Sequence, residues 1–87
     1  MIYFNNVTKH YNDKDRSITN VDLTINQGEF VSIVGHSGSG KTTLIKLLLN
    51  EVKPNSGTVF FENQDIHKLK GSAITTYRRR IGVVFQD

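Results

Sequence analysis

Cysteine is absent from the 87 residues, which excludes a disulfide framework, a thiolate nucleophile and any zinc site built on thiolates. No apolar stretch approaches the roughly 20 residues that a membrane-spanning helix needs. The opening Met1-Ile2-Tyr3-Phe4-Asn5-Asn6 has no basic segment leading into an apolar one, so no secretory leader is visible. The lack of cysteine predicts a cytosolic chain, or at least one indifferent to redox state. Repeats, linkers and low-complexity tracts are also missing. No His, Asp or Glu residues cluster at metal-ligand spacing. Asp13, Asp15, Asp22 and Asp65 are expected in turns and on the surface, and His10 and His67 as isolated surface histidines. Neither sign of charge dominates: 11 Lys and Arg against 8 Asp and Glu give +3 at neutral pH. That balance suits an anionic ligand without predicting nucleic-acid binding. Hydrophobic residues at 37% are enough to form a core.

What is present falls into alternating types of segment. Ile2 to Val7 carries aromatic and β-branched residues and predicts a first strand. Asn12 to Asp15 is a polar turn. From Asn20 the alternation with Val21, Leu23 and Ile25 is strict, as in a strand with one wet face, closed by the turn Asn26-Gln27-Gly28. If the two strands pair antiparallel, the region is a small sheet and not a βαβ unit. Phe30 to Val34 is almost entirely apolar and suits a buried parallel strand. Thr42 to Glu51 places Leu44, Leu48 and Val52, and also Ile45 and Leu49, four apart, which predicts a helix with a broad apolar face, stopped by Lys53-Pro54-Asn55-Ser56-Gly57. Thr58 to Phe61 is a further strand, turned by Glu62-Asn63-Gln64-Asp65. Ser72 to Arg80, anchored by Ile74 and Tyr77, is expected as a short helix, and Ile81 to Phe85 as another buried strand.

Between the apolar strand and the amphipathic helix lies Gly35-His36-Ser37-Gly38-Ser39-Gly40-Lys41-Thr42, which fits G-x-x-x-x-G-K-[ST] in strand–loop–helix context. Glycines let the backbone turn tightly and aim N–H groups inward at phosphates. The following helix start adds unpaired N–H groups and the positive end of its dipole. Lys41 can reach the β- and γ-phosphates, the Thr42 hydroxyl can ligate Mg²⁺, and the Thr43 hydroxyl can serve near the α-phosphate. Gly35, Ser37, Gly38, Ser39, Gly40, Lys41, Thr42 and Thr43 are therefore the candidate residues for a nucleoside triphosphate.

Other segments narrow the class. Tyr11 stands in an early turn ahead of the alternating strand. Asn20 to Ile25 runs on to Gly28-Glu29-Phe30. Pro54-Asn55-Ser56-Gly57-Thr58-Val59 follows the helix, and Tyr77-Arg78-Arg79-Arg80-Ile81-Gly82-Val83-Val84-Phe85-Gln86 ends the chain. With these segments the whole chain resembles the N-terminal part of an ATP-binding-cassette (ABC) ATPase. The resemblance implies an α/β fold, the P-loop core with an N-terminal antiparallel β-subdomain. It implies that Tyr11 stacks on adenine, and that Gln86 matches the Gln-loop glutamine that helps to position Mg²⁺ and water. Within the family, Val83 to Asp87 and His36, where proline is more usual, resemble the FtsE-type ATPases of bacterial cell division. The lipoprotein-release, macrolide-export and amino-acid-import ATPases are the alternatives. The family's signature motif, Walker B residues with the catalytic glutamate, and switch histidine all fall downstream of the Gln loop. Residues 1–87 are thus expected to be the N-terminal part of a nucleotide-binding domain, truncated after that loop.

On this reading the segment binds ATP and Mg²⁺ through half a site, contains no catalytic residue and turns over no significant ATP. The longer parent hydrolyses ATP as a head-to-tail homodimer. It sits peripherally on the inner face of the plasma membrane with a transmembrane permease-like partner, FtsX-like for the cell-division branch, and without nucleic acid. Two other classes compete. A soluble P-loop kinase would place its glycine loop nearer the N-terminus. A non-catalytic module would self-associate through exposed strand edges. The basic cluster Lys68, Lys70, Arg78, Arg79 and Arg80 is expected as a solvated face, with a contact to the membrane partner or the anionic membrane surface as the alternative and nucleic acid third, because no aromatic stacking platform is interleaved with it.

Overall fold

The computed structural model describes residues 1–12, 17–26 and 39–84, with residues 39–41 and 84 described by backbone alone. Strands β1 (Ile2–Lys9), β2 (Ile18–Ile25), β3 (Ser56–Phe61) and β4 (Gln64–Asp65) form one sheet in the order β2-β1-β3-β4. All three pairings are antiparallel, so the two N-terminal strands make the small sheet that their alternation implies. Helix α1 (Ser39–Leu48) lies between β2 and β3 in sequence, and a short 3-10 helix (Ile66–Lys68) leads to α2 (Ser72–Val84). The apolar strand expected at Phe30 to Val34 and the turn residues Gln27, Gly28 and Asp13 to Asp15 lie outside the described residues.

β1 is the central strand, and its side chains do not simply alternate. Ile2 and Phe4 are buried, Tyr3 and Asn5 exposed, then Asn6 is exposed and Val7 buried. Asn6 has φ 51° and sits where the register of β1 shifts against both β2 and β3. The extra residue is a bulge that returns Val7 to the core face. On β2 a second shift falls at Asn20, with φ 50°, and cancels the first. Each bulge is held by a side chain. The Asn6 N–H donates to Asp22 Oδ1 at 2.8 Å, and the Asn20 N–H to Thr8 Oγ1 at 3.0 Å. Asp22, expected as a surface residue, therefore has a backbone partner.

The core face of the sheet presents Ile2, Phe4, Val7, Ile25, Val59 and Phe61, closed over by Leu47 and Leu48 of α1, Ile66, and Tyr77 and Ile81 of α2. β3 and β4 join through Glu62-Asn63, both at positive φ (50° and 66°), the two-residue hairpin pattern whose twist matches the strands.

Three expectations from the sequence need correction. Helix α1 runs from Ser39 to Leu48 and not from Thr42 to Glu51, and it ends before Pro54 acts. Asn50, at φ 61°, takes the left-handed position, its N–H donating to Leu47 O at 3.1 Å while the Glu51 N–H donates to Lys46 O at 2.9 Å. That is a Schellman closure with asparagine where glycine is commoner. Second, Ile81 to Val84 is the last turn of α2 and not a buried strand. Tyr77 and Ile81, four apart, are both buried, whereas Val83 is 71% exposed. Among the described residues no strand offers this segment a ladder, and a helix satisfies its own backbone. The helix-propensity cost of two valines and a glycine, about 2 kcal/mol in all, is comparable to what burying Ile81 returns. Third, His67 is not an isolated surface histidine.

Gly57 is required by this arrangement. It has φ 85°, and a Cβ at this position would lie 2.2 Å from the carbonyl oxygen of Asn6, inside the bulge. Gly57→Ala is expected to destabilise the fold by at least ~2 kcal/mol, from the left-handed backbone and the collision with main chain. Urea unfolding checks this; an unchanged midpoint would show that β1 and β3 separate there at no cost.

Candidate nucleotide-binding site

Helix α1 starts at Ser39, so Ser39, Gly40 and Lys41 form its first turn. Their N–H groups have no partner within the helix, and the dipole adds a partial positive charge at this end. The first turn holds no acidic residue. Thr42 is exposed and Thr43 only 2% exposed, on the core side. A helix start and an exposed hydroxyl at Thr42 are the kinds of group that fit phosphate oxygens and a hydrated Mg²⁺ ion. Gly35, Ser37, Gly38, His36 and Gln86 lie outside the described residues.

Tyr11 follows the end of β1 and is half-buried. A single hydroxyl brackets its backbone: the Tyr11 N–H donates to Ser17 Oγ at 2.9 Å, and Ser17 Oγ donates to Tyr11 O at 3.4 Å. The ammonium of Lys9 stands 5.6 Å from the centroid of the Tyr11 ring. Next to it, the His10 N–H donates to Asn55 Oδ1 at 2.7 Å, and the Asn55 N–H to Thr8 O at 2.8 Å. The turn bearing Tyr11 is thus tied to the segment that leaves α1.

The far end of α1 is fastened by hydrogen bonds that the sequence did not announce, although Tyr77, expected as an apolar anchor, is indeed buried. Tyr77 donates its hydroxyl to Leu48 O at 2.5 Å, and Arg78 donates from Nε to Leu49 O at 2.8 Å and from NH2 to Asn50 O at 3.3 Å. His67 Nε2 lies 3.0 Å from Leu47 O, and Asn50 Nδ2 donates to Ile66 O at 2.9 Å. Burial pushes the Tyr77 hydroxyl well above the ordinary tyrosine range. Arg80 stacks its guanidinium 5.0 Å over the Phe61 ring, whose edge meets Tyr77 at 5.6 Å. Two of the three consecutive arginines therefore have structural partners and are not simply a solvated face. The partners of Tyr77 and Arg78 are 29 and 28–29 residues away, so no local pattern announces them.

No group of His, Cys, Asp and Glu that could hold a metal occurs among the described residues. No helix among them is long and apolar enough to cross a membrane. A cavity of about 360 Å³ lined by Met1, Tyr3, Thr24, Phe60 and Asn63 lies on the sheet face opposite the core, where Tyr3 and Phe60 stack with centroids 6.1 Å apart. It takes in none of the candidate residues.

Helix α1, starting within the glycine-rich sequence and packed on an antiparallel sheet, is the architecture described, and comparison with known proteins gives its class. Residues 18–87 match the ABC transporter family model, and the chain belongs to that family. It is 47% identical over 89 residues to the phosphonates import ATP-binding protein PhnC of Lactococcus lactis subsp. cremoris (strain SK11), covering 100% of this chain and 35% of that protein. It is 41% identical over 87 residues to the cell division ATP-binding protein FtsE of Bacillus subtilis (strain 168), covering 100% of this chain and 38% of that one. The solved ATP-binding cassette MJ0796, in a dimeric post-hydrolysis state bound to ADP and Pi, superposes with a TM-score of 0.63 at 30% identity over 91% of this chain and 35% of its own. The chain thus spans about a third of the length of the relatives it matches, and has the nucleotide-binding-domain fold with its N-terminal antiparallel sheet. Its likeness extends to both PhnC and FtsE ATPases, so the resemblance to the cell-division branch in particular is too narrow.

His67 supplies a test of the helix anchor. Its Nδ1 is buried without a hydrogen-bond partner, so a second ring proton would have no acceptor there. Burial holds its pKa below the ordinary histidine value of 6.5, against the opposing pull of the Leu47 carbonyl and Asp65. The unfolded chain therefore takes up a proton that the folded chain resists. The stability is fully present above pH 6.5 and is lost progressively as pH falls from there toward the lower folded pKa. His67→Gln keeps a donor for Leu47 O and cannot titrate. Its stability is expected to fall less than that of the wild type between pH 7 and pH 5 in paired urea titrations, and parallel losses would place the titration elsewhere.

Proposed function

We propose that this protein is the ATP-binding subunit of an ABC transporter, with an importer favoured by the likeness to the phosphonates import ATPases. The observation that carries the reading is the start of α1 at Ser39, within the glycine segment, with Lys41 in its first turn and Thr42 exposed just after it. Gly35, Ser37, Gly38, Ser39, Gly40 and Lys41 hold the phosphates, Thr42 and Gln86 the Mg²⁺, Thr43 lies near the α-phosphate, and Tyr11 stacks on the base. Bound Mg²⁺ would neutralise charge between the β- and γ-phosphates. The 41% identity to a cell-division ATPase over the whole chain supports a second reading, a subunit acting in cell division. In either, the working form is a dimer of cassettes beside a transmembrane permease-like partner at the inner face of the plasma membrane.

These 87 residues bind nucleotide without turning it over. Phosphoryl transfer to water needs an oriented water and charge stabilisation on the side away from the loop. Glu51 lies beyond the C-terminal end of α1, roughly 15 Å from the loop for a helix of this length.

Lys41→Ala is expected to weaken ATP binding by about tenfold or more, the loss of a charge-assisted phosphate contact of about 1.5–3 kcal/mol. Tyr11→Ala should also weaken it, with Tyr11→Phe and Tyr11→Trp close to wild type, because the ring face is what stacks. Calorimetric titration of folded variants measures both; equal affinity of Lys41→Ala and wild type would remove the loop from the site. Steady-state phosphate release, expected to be negligible for this chain, tests the absence of turnover. Lys41-dependent release at a rate like that of a full-length cassette would place a general base within these residues.

A further inference from the structure

We infer that Lys9 is a positioning residue for the nucleotide base, acting through the ring of Tyr11, with Ser17 as its backbone counterpart. The inference rests on the proposed stacking of Tyr11 on adenine and adds to it the device that holds the ring ready.

A lone tyrosine in a surface turn makes a poor platform. Its χ1 and χ2 are ordered only when the ligand arrives, and that ordering subtracts from affinity. Tyr11 is not in that position. Lys9 is the last residue of β1 and pairs with Ile18 in the β1–β2 ladder, so the root of its side chain is fixed by the sheet. From there its ammonium stands 5.6 Å from the Tyr11 centroid, within cation–π range. The backbone of Tyr11 is bracketed on both its N–H and its carbonyl by the hydroxyl of Ser17, one residue before β2 begins. The Tyr11 backbone is thereby held from the β2 side by Ser17, and its ring is met by a cation from the end of β1. The cation also draws π density toward itself, which makes the ring a better partner for an electron-rich purine.

An aromatic platform tuned in this way acts on the base and not on the phosphates, and this separates it from a general electrostatic role for a lysine. The experiment measures equilibrium binding of ATP and of inorganic triphosphate to wild type, Lys9→Met, Lys9→Arg, Ser17→Ala, Tyr11→Leu and the Lys9→Met/Tyr11→Leu double variant. Lys9→Met keeps most of the aliphatic stem, and Lys9→Arg restores the cation. Lys9→Met is expected to weaken ATP by roughly two- to fivefold and leave triphosphate unchanged. Lys9→Arg should recover ATP affinity, Ser17→Ala should show the same selective loss, and the Lys9 effect should vanish in the Tyr11→Leu background. If Tyr11→Leu lowers ATP affinity selectively while Lys9→Met does not, the positioning role is overturned and the stacking role stands. If Tyr11→Leu leaves the ratio of ATP to triphosphate affinity unchanged, both fall. If Lys9→Met weakens triphosphate as much as ATP, Lys9 acts on the phosphates or the fold, and the inference is overturned.

Discussion

Helix α1 is gripped by its carbonyl end, and this grip orients everything proposed for the other end. A helix leaves carbonyls without intrahelical partners at its C-terminus and N–H groups at its N-terminus. Here Leu47, Leu48, Leu49 and Asn50 all have their carbonyls engaged, by His67, Tyr77, Arg78 and the Schellman closure itself. The Arg78 cation also complements the negative end of the dipole. With Leu47 and Leu48 buried against the sheet, the helix can neither roll nor slide without breaking several buried or charge-assisted hydrogen bonds. The proposed ligand would meet the opposite end, where the helix starts at Ser39.

β1 connects that helix to the proposed base platform. The bulges at Asn6 and Asn20 cancel, so the hairpin stays in register after two irregularities and its core face stays apolar. The Asn6 bulge also makes room for Gly57 and nothing larger. One step before Gly57 the strand begins, and one step earlier again Asn55 reaches across to His10 and Thr8. The chain leaving α1 is therefore sewn directly to the turn that carries Tyr11. The helix and the turn to which the phosphates and the base are assigned in the proposal are thus joined by hydrogen bonds.

How much of this the sequence shows depends on the range of the interaction. The antiparallel hairpin follows from local alternation at Val21, Leu23 and Ile25, and the glycine pattern with Lys41 and Thr42 announces a helix start. Asn50 was a legible stop signal, since asparagine after an apolar run favours the left-handed cap, but Pro54 is the louder breaker and drew the boundary too far along. Tyr77 was legible as an apolar anchor, but the hydrogen bonds of His67, Tyr77 and Arg78 were not, because each goes to a carbonyl 20 or more residues away and a carbonyl has no sequence identity. Ile81 to Val84 misled for a related reason. Its strand propensity is real, but propensity spans about 1 kcal/mol, and the docking of Tyr77 and Ile81 on the sheet outweighs it. The bulge asparagines hid in plain view, as polar residues in strands that tolerated them only by taking positive φ.

The first turn of α1 breaks a local rule that the rest of the molecule keeps. Helix N-termini are stabilised by acidic side chains, and a cation there costs about 0.3–1 kcal/mol. α1 has no acid in its first turn and has Lys41 at its third residue. Among the described side chains of α1, Thr43, Leu47 and Leu48 are the buried ones. Lysine near the positive end of a dipole makes sense when an anion is to be shared between them. In that geometry the unfavourable pairing of cation and dipole becomes two favourable ones. A departure from local consistency of this kind is expected at functional sites, and the proposed polyphosphate site accounts for it.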